Sequence, residues 1–116
     1  MPMVRVSNGG TPQYDWLWQN IKTGTGYTIS YSFTDAGTQN LLFIGIGFNT
    51  NLRFSNLTIK IDGTTVNPEI IFNDSLDNAC SFVMGTIATT VSAGSTLSIT
   101  YSGASGAKVG YILFEQ

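Results

Sequence analysis

Apolar and polar residues alternate with a period of two along most of this 116-residue chain. Such alternation sends successive side chains to opposite faces of an extended strand, and no window keeps the 3.6-residue spacing of an amphipathic helix over three turns. Tyr27-Thr28-Ile29-Ser30-Tyr31-Ser32-Phe33 alternates without a fault. Leu57-Thr58-Ile59-Lys60-Ile61 does the same and runs into Asp62-Gly63, a pair suited to a two-residue hairpin leading to Thr64-Thr65-Val66. After a break at Asn67-Pro68, Ile70-Ile71-Phe72 is a short apolar piece, and Asn73 to Asn78 reads as a polar loop. Cys80 to Val91 holds one or two strands, with Gly85 as a bend or bulge. Beyond the Ser92-Ala93-Gly94 turn, Thr96 to Tyr101 alternates, Gly103 to Gly106 turns the chain, and Lys108 to Phe114 ends it as a strand. Eight or nine strands with short turns predict one all-β domain over residues 1–116, an antiparallel β-sandwich of jelly-roll-like form.

Tyr27, Ile29, Tyr31, Phe33, Leu57, Ile59, Ile61, Leu97, Ile99 and Tyr101 are the residues expected to face inward. Two segments depart from the half-buried pattern. Leu41 to Phe48 carries Leu42, Ile44, Ile46 and Phe48 on one face and Leu41, Phe43, Gly45 and Gly47 on the other. Val109, Tyr111 and Leu113 likewise alternate with Gly110, Ile112 and Phe114. A two-layer sandwich has one interior, so the second face must meet a loop or a neighbouring subunit. Phe43, Ile112 and Phe114 are the candidate subunit-interface residues, with Gly45 and Gly47 admitting a neighbour's side chains.

Composition narrows the chemistry. The chain has no His, one Cys, five basic and seven acidic residues, with charged residues only 10% of the total. Without histidine there is no His-based triad or His-containing zinc site. Cys80 cannot form an internal disulfide, and with no basic residue near it in sequence it reads as a buried, inert thiol. Arg5, Lys22, Arg53, Lys60 and Lys108 stand far apart, which argues against nucleic acid as a partner. The longest strongly apolar run is far shorter than the roughly 20 residues of a spanning helix, so no membrane insertion is expected. Met1 to Val6 lacks the apolar stretch of a secretory signal, and with so few charged residues the chain is expected in a virion or outside cells.

Asp74 and Asp77 are the nearest thing to a catalytic pair but read as solvated turn residues, so no catalytic, metal or cofactor-binding residue is assigned and no enzyme activity is expected. Asn73 to Asn78 offers hard oxygens to calcium but lacks the glycine and distal glutamate of an EF-hand loop. Tyr14, Trp16 and Trp18 share one face if extended, a spacing that serves either core packing or stacking on a sugar ring.

Val91-Ser92-Ala93-Gly94-Ser95-Thr96-Leu97-Ser98-Ile99-Thr100-Tyr101, a short loop, and Val109-Gly110-Tyr111-Ile112-Leu113-Phe114 resemble the closing strands of trimeric jelly rolls of the C1q and tumour-necrosis-factor type. Similar strands occur in phage fibre and baseplate tip domains. The resemblance covers about a fifth of a chain that is short for that family, and it implies a homotrimer. Two functions are expected to compete: a structural or receptor-binding component of a phage virion, contacting a cell-surface glycan or other virion proteins, and a carbohydrate-binding module of a secreted protein.

Overall fold

The computed structural model describes residues 18–77, 79–103 and 108–116, together with the backbone of a short antiparallel pair, β1 (Val4–Val6) and β2 (Pro12–Tyr14). The remaining strands are β3 (Gln19–Thr25), β4 (Thr28–Ser32), β5 (Gly37–Phe48), β6 (Leu57–Ile61), β7 (Thr64–Thr65), β8 (Glu69–Asp77), β9 (Cys80–Val91), β10 (Thr96–Tyr101) and β11 (Lys108–Glu115). They form two antiparallel sheets, β4-β10-β6-β7 and β3-β11-β5-β9-β8. The two sheets hold nine strands, where alternation predicts eight or nine in all, and β3 is one that the alternation does not mark.

The pairing is nested. β3 pairs with β11, β4 with β10, β5 with β9 and β6 with β7, so the first half of the chain lies along the second half in reverse and the ribbon wraps between two layers. This is the jelly-roll arrangement, with β8 added as an edge strand beside β9. At the β6–β7 hairpin, Asp62 and Gly63 both take positive φ, 50° and 83°, the conformation a tight right-twisted hairpin demands. The Asp62 carboxylate accepts the Thr96 N–H at 2.9 Å. That bond and one to Ser95 hold its pKa below the ordinary aspartate value.

The core lies between the sheets. The four-stranded sheet and its flanks bury Ile29, Phe33, Ile59, Ile61, Leu97, Ile99 and Tyr101, with Tyr31 and Leu57 partly buried against them. Tyr27 departs from the expected inward set: it is 39% exposed and stacks on Tyr101 at 6.1 Å between ring centroids. The five-stranded sheet supplies Leu41, Phe43, Val83, Ile87, Val91, Val109, Tyr111 and Leu113.

Register settles which face of β5 is internal, and it corrects two expectations. Phe43 lies opposite Leu113 and Gly85 and is fully buried, so it belongs to the core and not to an exposed interface with Ile112 and Phe114. Gly45 and Gly47 also point inward, where they admit the loop after β5 and not a neighbour. A Cβ on Gly45 would stand 3.0 Å from Leu52 Cδ2, and one on Gly47 would stand 2.8 Å from the Thr50 carbonyl oxygen. Leu52, fully buried, fills the space those glycines leave. Its N–H donates to Ser81 Oγ at 2.9 Å, and the Ser81 hydroxyl donates in turn to Thr50 O. Gly85 stays in regular register with β5 and faces Phe54 and Pro68; the irregularities of that hairpin lie in β8. The segment from Asn73, expected as a loop, continues β8 as far as Asp77.

Candidate functional site

The outward face of the five-stranded sheet is the most distinctive surface among the described residues. Antiparallel register lays its side chains out in rows across the strands. One row runs Phe114, Leu42, Thr86 and Glu69; the next runs Ile112, Ile44, Met84 and Phe72. A third runs Thr25, Gly110, Ile46, Phe82 and Asp74, and the last runs Lys108, Phe48, Cys80 and Asp77. The rings of Phe72 and Phe82 meet edge to face at 5.5 Å. The centre of this face is therefore apolar, with hydroxyls and amides on the β3 side and carboxylates on the β8 side. The four-stranded sheet packs against the opposite, inner face, leaving Ile46 39% and Phe48 54% exposed. Ile112 and Phe114 do point outward as expected, joined by Leu42, Ile44, Ile46 and Phe48 in place of Phe43.

A second surface surrounds Trp18. Of the expected aromatic set, Tyr14 closes β2 and Trp16 lies outside the described residues, so their common face is not part of the described structure. Trp18 itself is 38% exposed and borders a groove of about 340 Å³. The groove is lined by polar side chains from separate segments, Asn40, Asn67, Glu69, Thr86 and Gln116, with Leu41 and Ile87 in its wall. An indole face beside amide and carboxylate groups has the chemistry of sugar recognition: stacking from the ring, hydrogen bonds from the planar polar groups. Trp18 was legible as an aromatic residue, but its groove partners were not, because the fold gathers them from four places.

Asp74 and Asp77 do not form a buried acid pair. Asp74 is 75% exposed and pairs with Arg53 at 3.5 Å, and Asp77 accepts the Ala79 N–H at 2.7 Å. Among the described residues no group of three or more His, Cys, Asp or Glu side chains is placed to hold a metal ion. Cys80 is half-buried, less enclosed than expected, and borders a small polar cleft with Asn49, Asn51 and Ser75. No helix among the described residues is long and apolar enough to cross a membrane. No protein family, curated protein or solved structure matches the chain.

Proposed function

We propose that this chain is a non-enzymatic structural or receptor-binding component of a phage virion, part of a fibre, tail or capsid appendage, working as a homo-oligomeric jelly roll with three copies the favoured number. The observation that carries the reading is the apolar outward face of β11, β5 and β9. Soluble monomers rarely leave a contiguous patch of aromatic and branched aliphatic side chains in water, and a ring of copies buries equivalent patches around one axis. A charge content of 10% and the abundance of Thr, Ser, Asn and Gly suit an assembled exterior protein. The resemblance of the closing strands to trimeric jelly rolls supplies the number three. Light scattering at tens of micromolar tests this directly: a particle of three times the 12.5 kDa chain mass is expected, and a single-chain mass overturns it.

The Trp18 groove favours a second reading, a carbohydrate-binding module of a secreted protein. A glycan array followed by titration of the hits separates the two. Binding by a monomer that Trp18→Ala abolishes puts the module first, whereas glycan binding by an assembled particle is receptor recognition within the first reading.

A further inference from the structure

Among the described residues, apart from Trp18 and Tyr27, the exposed large apolar side chains fall into two groups, one on the outward face at β5 and the other along the β8 edge. Ile46 and Phe48 border a depression of about 570 Å³ between β3, β11 and β5. Its floor is Gly110, where a missing side chain interrupts the row between Thr25 and Ile46. Nothing in the single chain requires glycine there. Its φ is not positive, and a Cβ built on it meets no atom within 4 Å. Lys108 stands at the rim, and among the described residues the one ion pair, Arg53 with Asp74, leaves its ammonium unmatched.

The second group lies on β8, the far edge: Ile70, Ile71 and Leu76 are 52%, 55% and 63% exposed. Ile71 and Leu76 are the extra residues of two bulges, since Ile70 and then Phe72 pair with Gly85 and Met84, and Ser75 and then Asp77 pair with Ser81 and Cys80. A bulge takes its extra residue out of the ladder and re-aims the side chain, while the interrupted ladder resists addition of a further strand. This edge offers side chains, then, and not a backbone template. Glu69, Asp74 and Asp77 punctuate it, and Arg53 answers only Asp74.

We propose that the β8 edge of one copy docks into the Gly110 depression of the next, with Leu76 seated over Gly110 and Asp77 facing Lys108, so that copies join head to tail. The inference rests on the oligomeric reading above and specifies its joint. Charge complementarity selects a second copy as the occupant: the depression carries an unmatched cation, the edge carries unmatched carboxylates, and both carry exposed apolar side chains. A joint of depression to depression would set Lys108 against Lys108, and one of edge to edge would oppose carboxylates, so neither self-match competes. Unlike surfaces joined in sequence make a ring when the rotation closes.

Two variants test the joint. Gly110→Leu fills the depression with a side chain for which the single chain has room, and Leu76→Asp removes the knob from an exposed position. Each alone is expected to scatter light as a 12.5 kDa particle at tens of micromolar, with the strand signal in circular dichroism unchanged. Mixed in equal amounts they should form a two-chain particle and stop there, because one intact edge meets one intact depression and no second joint is possible. Lys108→Glu, a change at the solvent-exposed rim, serves as the variant least able to disturb folding and should weaken assembly at least tenfold. An unmodified chain that is monomeric removes the oligomeric reading and this joint together. An unmodified chain that assembles while Gly110→Leu and Lys108→Glu assemble equally well removes only the joint, as does a mixture that reaches the parent's full size.

Discussion

Tyr111 carries the one buried side-chain polar atom among the described residues that has no hydrogen-bond partner, and replacing it with phenylalanine should stabilise the fold. The ring is 1% exposed and stacks on Phe43 with centroids 5.8 Å apart and planes at 29°, a contact phenylalanine keeps. What the change removes is an unpaired hydroxyl, whose desolvation costs about 1–3 kcal/mol. Against that stand the lost dispersion contacts of one atom, a few tenths of a kcal/mol. A net gain of about 1–2 kcal/mol follows, readable as a higher urea midpoint at unchanged slope, or as a rise in Tm of roughly 4–8 °C. The pH dependence gives an independent check. Burial first, and the neighbouring Tyr101 second, push the Tyr111 pKa up to about 12, above the value near 10 of an unfolded tyrosine. Between those values the unfolded chain releases its proton while the folded chain keeps it, so the parent's stability is fully present below pH 10 and falls as the pH rises towards 12. Tyr111→Phe lacks that loss, and its advantage should widen over the same interval. A variant less stable than the parent by 1 kcal/mol or more, or an advantage that does not change above pH 10, would refute the reasoning.

Other outcomes follow from the core and the turns. Leu52→Ala should cost about 2–5 kcal/mol in urea denaturation, as for a fully buried leucine whose site is framed by backbone that cannot collapse. Gly47→Ala should cost roughly 1–3 kcal/mol, because the added methyl meets Ser81, the Thr50 carbonyl and Leu52 together; the contrast with a tolerated Gly110→Ala, measured side by side, checks the assignment of inner and outer faces. Asp62 has a lowered pKa, so its contribution is present above the unfolded value near 4 and is lost as the pH falls through the folded value. Asp62→Asn, which also tolerates positive φ, should flatten the acid limb of a stability-against-pH curve, and an unchanged limb would count against the Thr96 bond as its source.

The strands that show plain alternation, β4, β6 and β10, were legible because each has one face in the core and one in water. For β5 the alternation revealed two apolar faces but not which was internal. Leu42, Ile44, Ile46 and Phe48 make the bulkier stripe, yet the face with Gly45 and Gly47 is buried, because Leu52 from a later loop completes it. That decision is made by tertiary packing, which local pattern does not encode. Edge strands were the other blind spot. In β3 only Ile21 and Gly24 are even half-buried, and in β8 only Phe72 is, so neither carries a consistent apolar period, and the carboxylates and amides after Asn73 imitate a loop. The same blindness hid the depression at Gly110, since a glycine in a terminal strand signals nothing until register sets it between Thr25 and Ile46.

The nested pairing also has a consequence for synthesis. Among the described residues β3 pairs only with β11, more than 80 residues later, and β4 only with β10. At about 5–20 residues per second on a ribosome, the first of these strands waits roughly 4–20 s with its backbone unpaired before its partner has been made. The hairpins β6–β7 and β8–β9 are the pieces able to form early, from neighbouring residues. The four-stranded sheet can therefore close only once β10 is made and the five-stranded sheet only once β11 is, and a nascent product cut short before Lys108 leaves β3 without its β11 partner and one edge of β5 open to another chain.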